Sequence, residues 1–288
     1  MYTDTLRRVV VLGVITLMPL IPVQAQAVAI EISTIEALQR IGHDPAYPLN
    51  GYYVLTQDID ASPTALWDHG AGFSPIGGRE KEEDYSLCFT GWFDGRGHVI
   101  RDLVINRPDA NMVGLFGSLG AQAVVVNLGL EGGAVTGGDY VGALAGENWS
   151  AGVAGCYANV AVAGISRVGG LIGINRGVIE MAYAVGSAAG ERYVGGLVGR
   201  NYKGLIEECY AAAPVWGLHL AGGLTGETVE GDVVACFWDI EASGAAVSGG
   251  GTGLTTAEMT APGAFIQAAW DLRNNWGLVT GRGYPYLR

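Results

Sequence analysis

Apolar and small residues recur along the middle of this chain with one spacing, and polar residues recur between them. Val-Gly-Ala-Leu-Ala-Gly occupies 141–146, Val-Gly-Gly-Leu-Ile-Gly 168–173, Val-Gly-Gly-Leu-Val-Gly 194–199 and Ala-Gly-Gly-Leu-Thr-Gly 221–226, with a shorter relative, Val-Gly-Leu-Phe-Gly, at 113–117. Leu115, Leu144, Leu171, Leu197 and Leu224 are separated by steps of 29, 27, 26 and 27. A fixed period of this size marks stacked repeats, in which each unit buries its apolar side only against its neighbours. Glycine pairs would break the helices that two-helix repeats need. Short strands that alternate side chains in and out suit the pattern. The spacing therefore predicts an all-β parallel solenoid of roughly 27-residue coils, with three short strands per coil.

Other columns keep the same period. The leucines, the aliphatic set Val124, Val153, Ile179, Ile206 and Val233, and the set Cys156, Ala182, Cys209 and Cys236 are expected to point inward. Asn148, Asn175 and Asn201, continued by Thr228, read as a turn ladder, because Asn hydrogen-bonds its own backbone and stacks on itself. The sequon at Asn148-Trp149-Ser150 is then a chance match. Gly137, Gly164, Gly190 and Gly217 mark a place that needs either positive φ or a close backbone approach. Same-facing Cβ atoms on adjacent parallel strands lie about 4.8 Å apart. That exceeds the disulfide separation of about 3.8 Å, so the stacked cysteines are expected to stay reduced.

The ends lack the repeat. Arg7 and Arg8, an apolar run from Val9 to Ile21, and small residues at Val23-Gln-Ala25 or Ala25-Gln-Ala27 have the layout of a secretory leader. Its removal takes the net charge from −12 to −13. An acidic chain without a basic patch argues against nucleic acid and anionic membrane surfaces, and no integral membrane segment is expected after the leader. Ile35–Ile41 has helical spacing and suits an N-terminal cap. Thr256–Met259 and Gly263–Trp270 read as short helical pieces after the last coil. The expected organisation is a leader at 1–27, cap and first coils at 28–98, repeats at 99–241, and a loop with a closing segment at 242–288. The expected location is outside the cytoplasm: extracellular, cell-surface or periplasmic.

The Gly-Leu-x-Gly core resembles the GLUG repeat of large exported bacterial proteins, including filamentous haemagglutinin-like adhesins and some IgA-specific metallopeptidases. Ile32–Ile41, Tyr53–Asp60, Pro75–Gly77 and Phe89–His98 are similar to the usual lead-in of these repeats. Gly253–Met259, Trp270, Trp276 and Tyr284–Leu287 are similar to their closing segment. The resemblance implies a right-handed parallel β-helix and leaves function open, since a scaffold does not fix what is built on it. A zinc peptidase needs His-Glu-x-x-His. None of His43, His69, His98 and His219 begins that pattern, so that activity is not expected here.

Candidate chemistry is sparse. Asp58 and Asp60 are weak calcium candidates or a structural turn. Asp94-Gly-Arg-Gly97 reads as a tight turn, not a phosphate loop. Glu180, Glu207 and Glu208 could supply a carboxylate cluster for a lyase or glycosidase, or could simply be solvated. Tyr157, Tyr183, Tyr210 and Phe237 each follow the inward Cys/Ala position and so should point away from the solenoid. Such a column is either a sugar-binding platform or a stack lying beneath the closing segment. Tyr140, Arg167 and Tyr193 form a second, mixed column expected at the surface. No cofactor or structural metal is expected. The leading functional expectation is a non-enzymatic solenoid for adhesion or extracellular glycan binding, its partner a glycan or a host or matrix surface. The alternatives are a carbohydrate-active enzyme on the same scaffold and a structural spacer.

Overall fold

The computed structural model describes residues 28–78 and 86–288; the leader expected at 1–27 lies outside the described residues. The chain winds as a parallel β-solenoid with four strands per coil, one more than expected. In the coil at 152–175 these are Gly152–Ala154, Tyr157–Ala163, Ser166–Gly169 and Ile172–Asn175. Each strand pairs in parallel with its equivalent one coil on, which generates four faces of eight, eleven, four and five strands in that order around the coil. The eight-stranded face runs from Ile30–Ile32 through Gly152–Ala154 to Asp232–Val234. No helix among the described residues is long and apolar enough to cross a membrane.

The interior follows from the period. The five column leucines are fully enclosed, and one apolar cluster extends from Ile32 to Trp238. Glycine is required where coils approach. A Cβ on Gly196 would lie 2.2 Å from the carbonyl oxygen of Gly223. At Gly164 close contact also decides, since a Cβ would meet Val141 Cγ2 at 2.7 Å. The positive-φ corner belongs instead to Tyr140, Arg167, Tyr193 and Leu220, with φ of 62, 55, 55 and 53°. That corner throws bulky side chains outward.

One column needs correction. Val125, not Val124, is in register with Val153, and Val124 pairs with Gly152. The step between coils is 29 at Phe116/Ala145, 28 at Val125/Val153 and 27 at Val135/Val162. One extra residue is absorbed at a bulge beside Gly132 and Gly133, both at positive φ. The Leu115-to-Leu144 step therefore does not carry through the whole coil.

The Asn ladder is present and buried. Asn148 Nδ2 donates to Asn175 Oδ1 at 2.9 Å, and Asn175 Nδ2 donates to Asn201 Oδ1 at 2.9 Å. The Asn148 amide also donates to the Ala151 carbonyl, so the sequon nitrogen is enclosed in the folded chain. All four cysteines are buried thiols outside any disulfide. Burial pushes the Cys156 thiol up to about 12. Thiol counting under denaturing, non-reducing conditions should find four free thiols, and the folded protein should label slowly. A Cys209–Cys236 bridge in a peptide map would overturn the register argument.

At the N-terminal end a short helix, Ile35–Gln39, is capped by Thr34 and buries Ile35 and Leu38 against the first coils. At the other end Thr252–Leu254 pairs in parallel with Phe237–Asp239. Short helices at Thr256–Met259 and Gly263–Gln267 follow, then an antiparallel pair, Trp276–Gly277 with Tyr286–Leu287.

Candidate functional site

The tyrosine column points away from the solenoid, as its place after the Cys/Ala position requires, and then meets the closing segment. Tyr157 and Tyr183 stack with centroids 4.8 Å apart and planes 6° apart; Tyr183 and Tyr210 do so at 4.9 Å and 9°. Tyr210 is only 1% exposed and donates its hydroxyl to the Pro285 carbonyl at 2.7 Å. Trp276 lies 6.0 Å from Tyr210 and stacks on Trp270 at 4.5 Å. Phe237 is buried edge-on against Phe265. Tyr210 and Phe237 thus belong to a second core, which corrects the expectation of an open four-ring platform. Geometry restricts the remaining rings too. In-register rings face one another along the rod, so a face-on sugar finds those faces already occupied. Burial pushes the Tyr183 phenol up to about 12.

The open upper end of the column leads into a chain of polar contacts. Tyr157 donates its hydroxyl to Glu131 Oε1 at 2.8 Å, Glu131 pairs with Arg101, and Arg101 lies 3.3 Å from Asp58. Asp58 also accepts from the Val99 amide and contacts His98. The Val99 bond, with help from His98 and Arg101, holds the Asp58 carboxyl below its ordinary range. Asp60 turns elsewhere and caps the Ser62 amide at 2.9 Å. The two weak calcium candidates are therefore engaged separately, and only Asp58 joins the aromatic column.

Glu180, Glu207 and Glu208 meet near the closing segment. Glu180 is 4% exposed, and neither carboxylate oxygen has a hydrogen-bond partner. Burial, then the charges of Glu207 and Glu208, raise it to about 7. That value would suit a general acid, but a polysaccharide chain has no access to a carboxyl so enclosed.

The richest partly exposed chemistry lies on the corner and the fourth face. The Arg167 guanidinium sits 4.6 Å from the Tyr140 ring and 5.5 Å from Tyr193. Arg200 lies 5.3 Å from Tyr193 and 5.6 Å from Tyr202. Arg176 covers Trp149 at 4.8 Å and Tyr202 at 5.7 Å, and Lys203 lies 5.2 Å from Tyr202. Rings and cations therefore interleave in one band across successive coils. Acids hold the cations in place: Arg167 by Asp139 at 3.4 Å, Arg200 by Glu227 at 2.7 Å, and Arg176 by the buried Glu147. None of these residues belongs to the apolar cluster of the closing segment. Sequence reading found the Tyr140 column and missed the other. Trp149, Arg176 and Tyr202 each follow an Asn of the ladder, a periodic signal hidden because no one residue type repeats there.

Comparison with known proteins places this architecture. The model of the GLUG motif matches residues 190–213. Over 171 residues the chain is 38% identical to halomucin of Haloquadratum walsbyi, a match spanning 59% of this chain and 2% of that protein. Over 104 residues it is 38% identical to an Evansella cellulosilytica protein provisionally named a Gly-rich membrane protein, spanning 35% of this chain and 11% of the relative. A Bacteroides ovatus crystal structure, provisionally named an immunoglobulin A1 protease, superposes with a TM-score of 0.63 at 18% identity, covering 92% of this chain and 93% of that one. That likeness carries the fold alone. The GLUG motif at 190–213 falls within the repeat legible in the sequence, and the chain is a parallel β-solenoid that carries this motif.

Proposed function

We propose that this solenoid is exported and displayed at a cell surface, where it binds extracellular glycans in adhesion without catalysis. The interleaved band of rings and guanidinium groups carries this reading. A guanidinium stacked on an aromatic face leaves its in-plane N–H donors clear of the ring, and salt bridges fix their orientation; with the Nε of Arg167 and of Arg200 enclosed, the terminal nitrogens are the donors a ligand would meet. Successive coils repeat the arrangement about every 4.8 Å, so a polymer with repeating hydroxyl or carboxylate groups would meet repeating donors. The names of the two sequence relatives, a mucin-like name and a membrane-protein name, agree with a surface location.

A glycan array with the purified chain, run beside a reducing-sugar release assay, tests the proposal. Tyr202→Ala and Arg167→Ala should each weaken binding on the order of tenfold while leaving the melting curve in place. Arg176 is unsuitable for this test, because its removal would take the compensating cation from the buried Glu147 carboxylate, which bonds also to the Ser118 hydroxyl. Sugar release abolished by one carboxylate substitution would replace this reading with the enzymatic one. Binding unchanged in both variants would move the site to the Tyr157–Glu131–Arg101 surface, and no binding at all would favour a spacer.

A further inference from the structure

The two ends of the solenoid are finished differently. At the C-terminal end the second face is extended by Thr252–Leu254, and the fourth is contacted by Ser248 and Gly249, whose side chain and amide bond to Thr225. The first face ends on Asp232–Val234 with no described strand beyond it, and the third is met only at its Gly222–Gly223 end, where the Gly223 amide donates to the Val247 carbonyl; the rest of the third face is not finished. Its last strand, His219–Gly222, pairs only with Arg192–Gly195, and no described strand lies on its outer side. An uncovered sheet edge is a template for pairing.

The side chains around that edge change character in the last coil. Leu218 and Leu220 stand where the preceding coil has Glu191 and Tyr193, and Trp216 is in register with Ala189. Trp216, Leu218 and Leu220 are 59, 75 and 52% exposed, and Val247 on the neighbouring loop is 67% exposed. Trp216, Leu218 and the 244–247 loop border a concavity of about 550 Å³. Residues 209–226 and 242–257 contain no Asp, Glu, Lys or Arg, in a chain with 28 acidic and 16 basic residues.

We propose that this end is a dimer interface, at which two copies of the chain pair their His219–Gly222 edges antiparallel across a twofold axis. Charge argues for a second copy. A chain of net charge −12 repels itself over most of its surface, and this uncharged patch is where two copies can meet at least cost. Symmetry argues for the twofold arrangement. An edge strand placed against its own copy is antiparallel by necessity and closes the assembly. Across the axis, the exposed Leu218 of each copy is available to the concavity of the other.

Sedimentation of the purified chain across a micromolar to hundred-micromolar range tests this. The wild type should sediment as a dimer at the upper end, and Leu218→Lys with Leu220→Lys should sediment as a monomer with an unchanged melting temperature. A wild type that stays monomeric, forms open-ended polymers, or remains dimeric with both lysines in place overturns the proposal. If the lysines disturb the fold, Leu220→Cys, near the middle of the paired edge and so near the twofold axis, reads the same contact. The native thiols are all buried, so rapid oxidation to a covalent dimer supports the twofold pairing and its failure overturns it.

Discussion

Trp276→Ala should destabilise the protein by about 3–5 kcal/mol, the usual cost of deleting a large buried aromatic. Trp276 is fully enclosed between Trp270 and the tyrosine column, within 6.2 Å of Tyr183 and 6.0 Å of Tyr210. Its loss leaves a cavity where closing segment and solenoid meet, so the segment should loosen before the coils do. Urea melts read the total, and limited proteolysis reads the segment: cleavage within 255–288 should rise sharply in the variant. Tyr210→Ala should behave similarly, since it also removes the bond to Pro285. Tyr157→Ala, at the open end of the same column, should cost much less. Equal stability of Trp276→Ala and wild type would show that the segment lies on the rod without holding it.

This contrast shows what periodicity encodes. A stacked repeat writes its register into the sequence, so the Leu, Cys/Ala and Asn columns were legible from steps of 26 and 27. The outward direction of Tyr157, Tyr183 and Tyr210 was legible too, from strand alternation. What covers an outward column is set by a segment that does not repeat, and residues 255–288 give no sign of the face they choose. The unequal first step hid another feature. A step of 29 between Leu115 and Leu144 is partly absorbed within the coil, which displaced Val124 from the aliphatic column. The fourth strand was missed because the bend between the third and fourth strands falls inside the Val-Gly-Gly-Leu-x-Gly core, at Gly170-Leu171, which reads in sequence as one continuous strand. The ring-and-cation band was half legible for a related reason: its second column alternates Trp, Arg and Tyr, and only the Asn ladder beside it reveals the register.

Glu180→Gln should stabilise the protein at pH 8 and leave it nearly unchanged at pH 4.5. Glu180 is buried beside Glu207 and Glu208, its oxygens lack partners, and its carboxyl is raised from the ordinary 4.5 to about 7. Burial raises Glu207 as well, and Glu208 is raised by burial, then by Glu207 and Asp271 of the closing segment. A carboxyl raised in the folded state holds its proton where the unfolded chain has lost it. Below about 4.5 both states are protonated and the group carries no penalty. As pH rises from there through about 7, the unfolded chain binds fewer protons than the folded one, so stability falls, and above that window the loss is complete. At about 1.4 kcal/mol per pH unit of displacement the unscreened loss would be about 3.5 kcal/mol. Hydration of the half-buried Glu207 and Glu208 screens part of it, so about 1–3 kcal/mol is expected. Carboxylates held low, such as Asp58, act in the opposite direction at more acid pH, so the difference between variant and wild type is the quantity to follow. Urea melts of both proteins from pH 4 to pH 8 should give curves that converge at the acid end and separate through neutrality. Parallel curves would mean that Glu180 is hydrated in solution, and that the closing segment does not seal the carboxylates it covers.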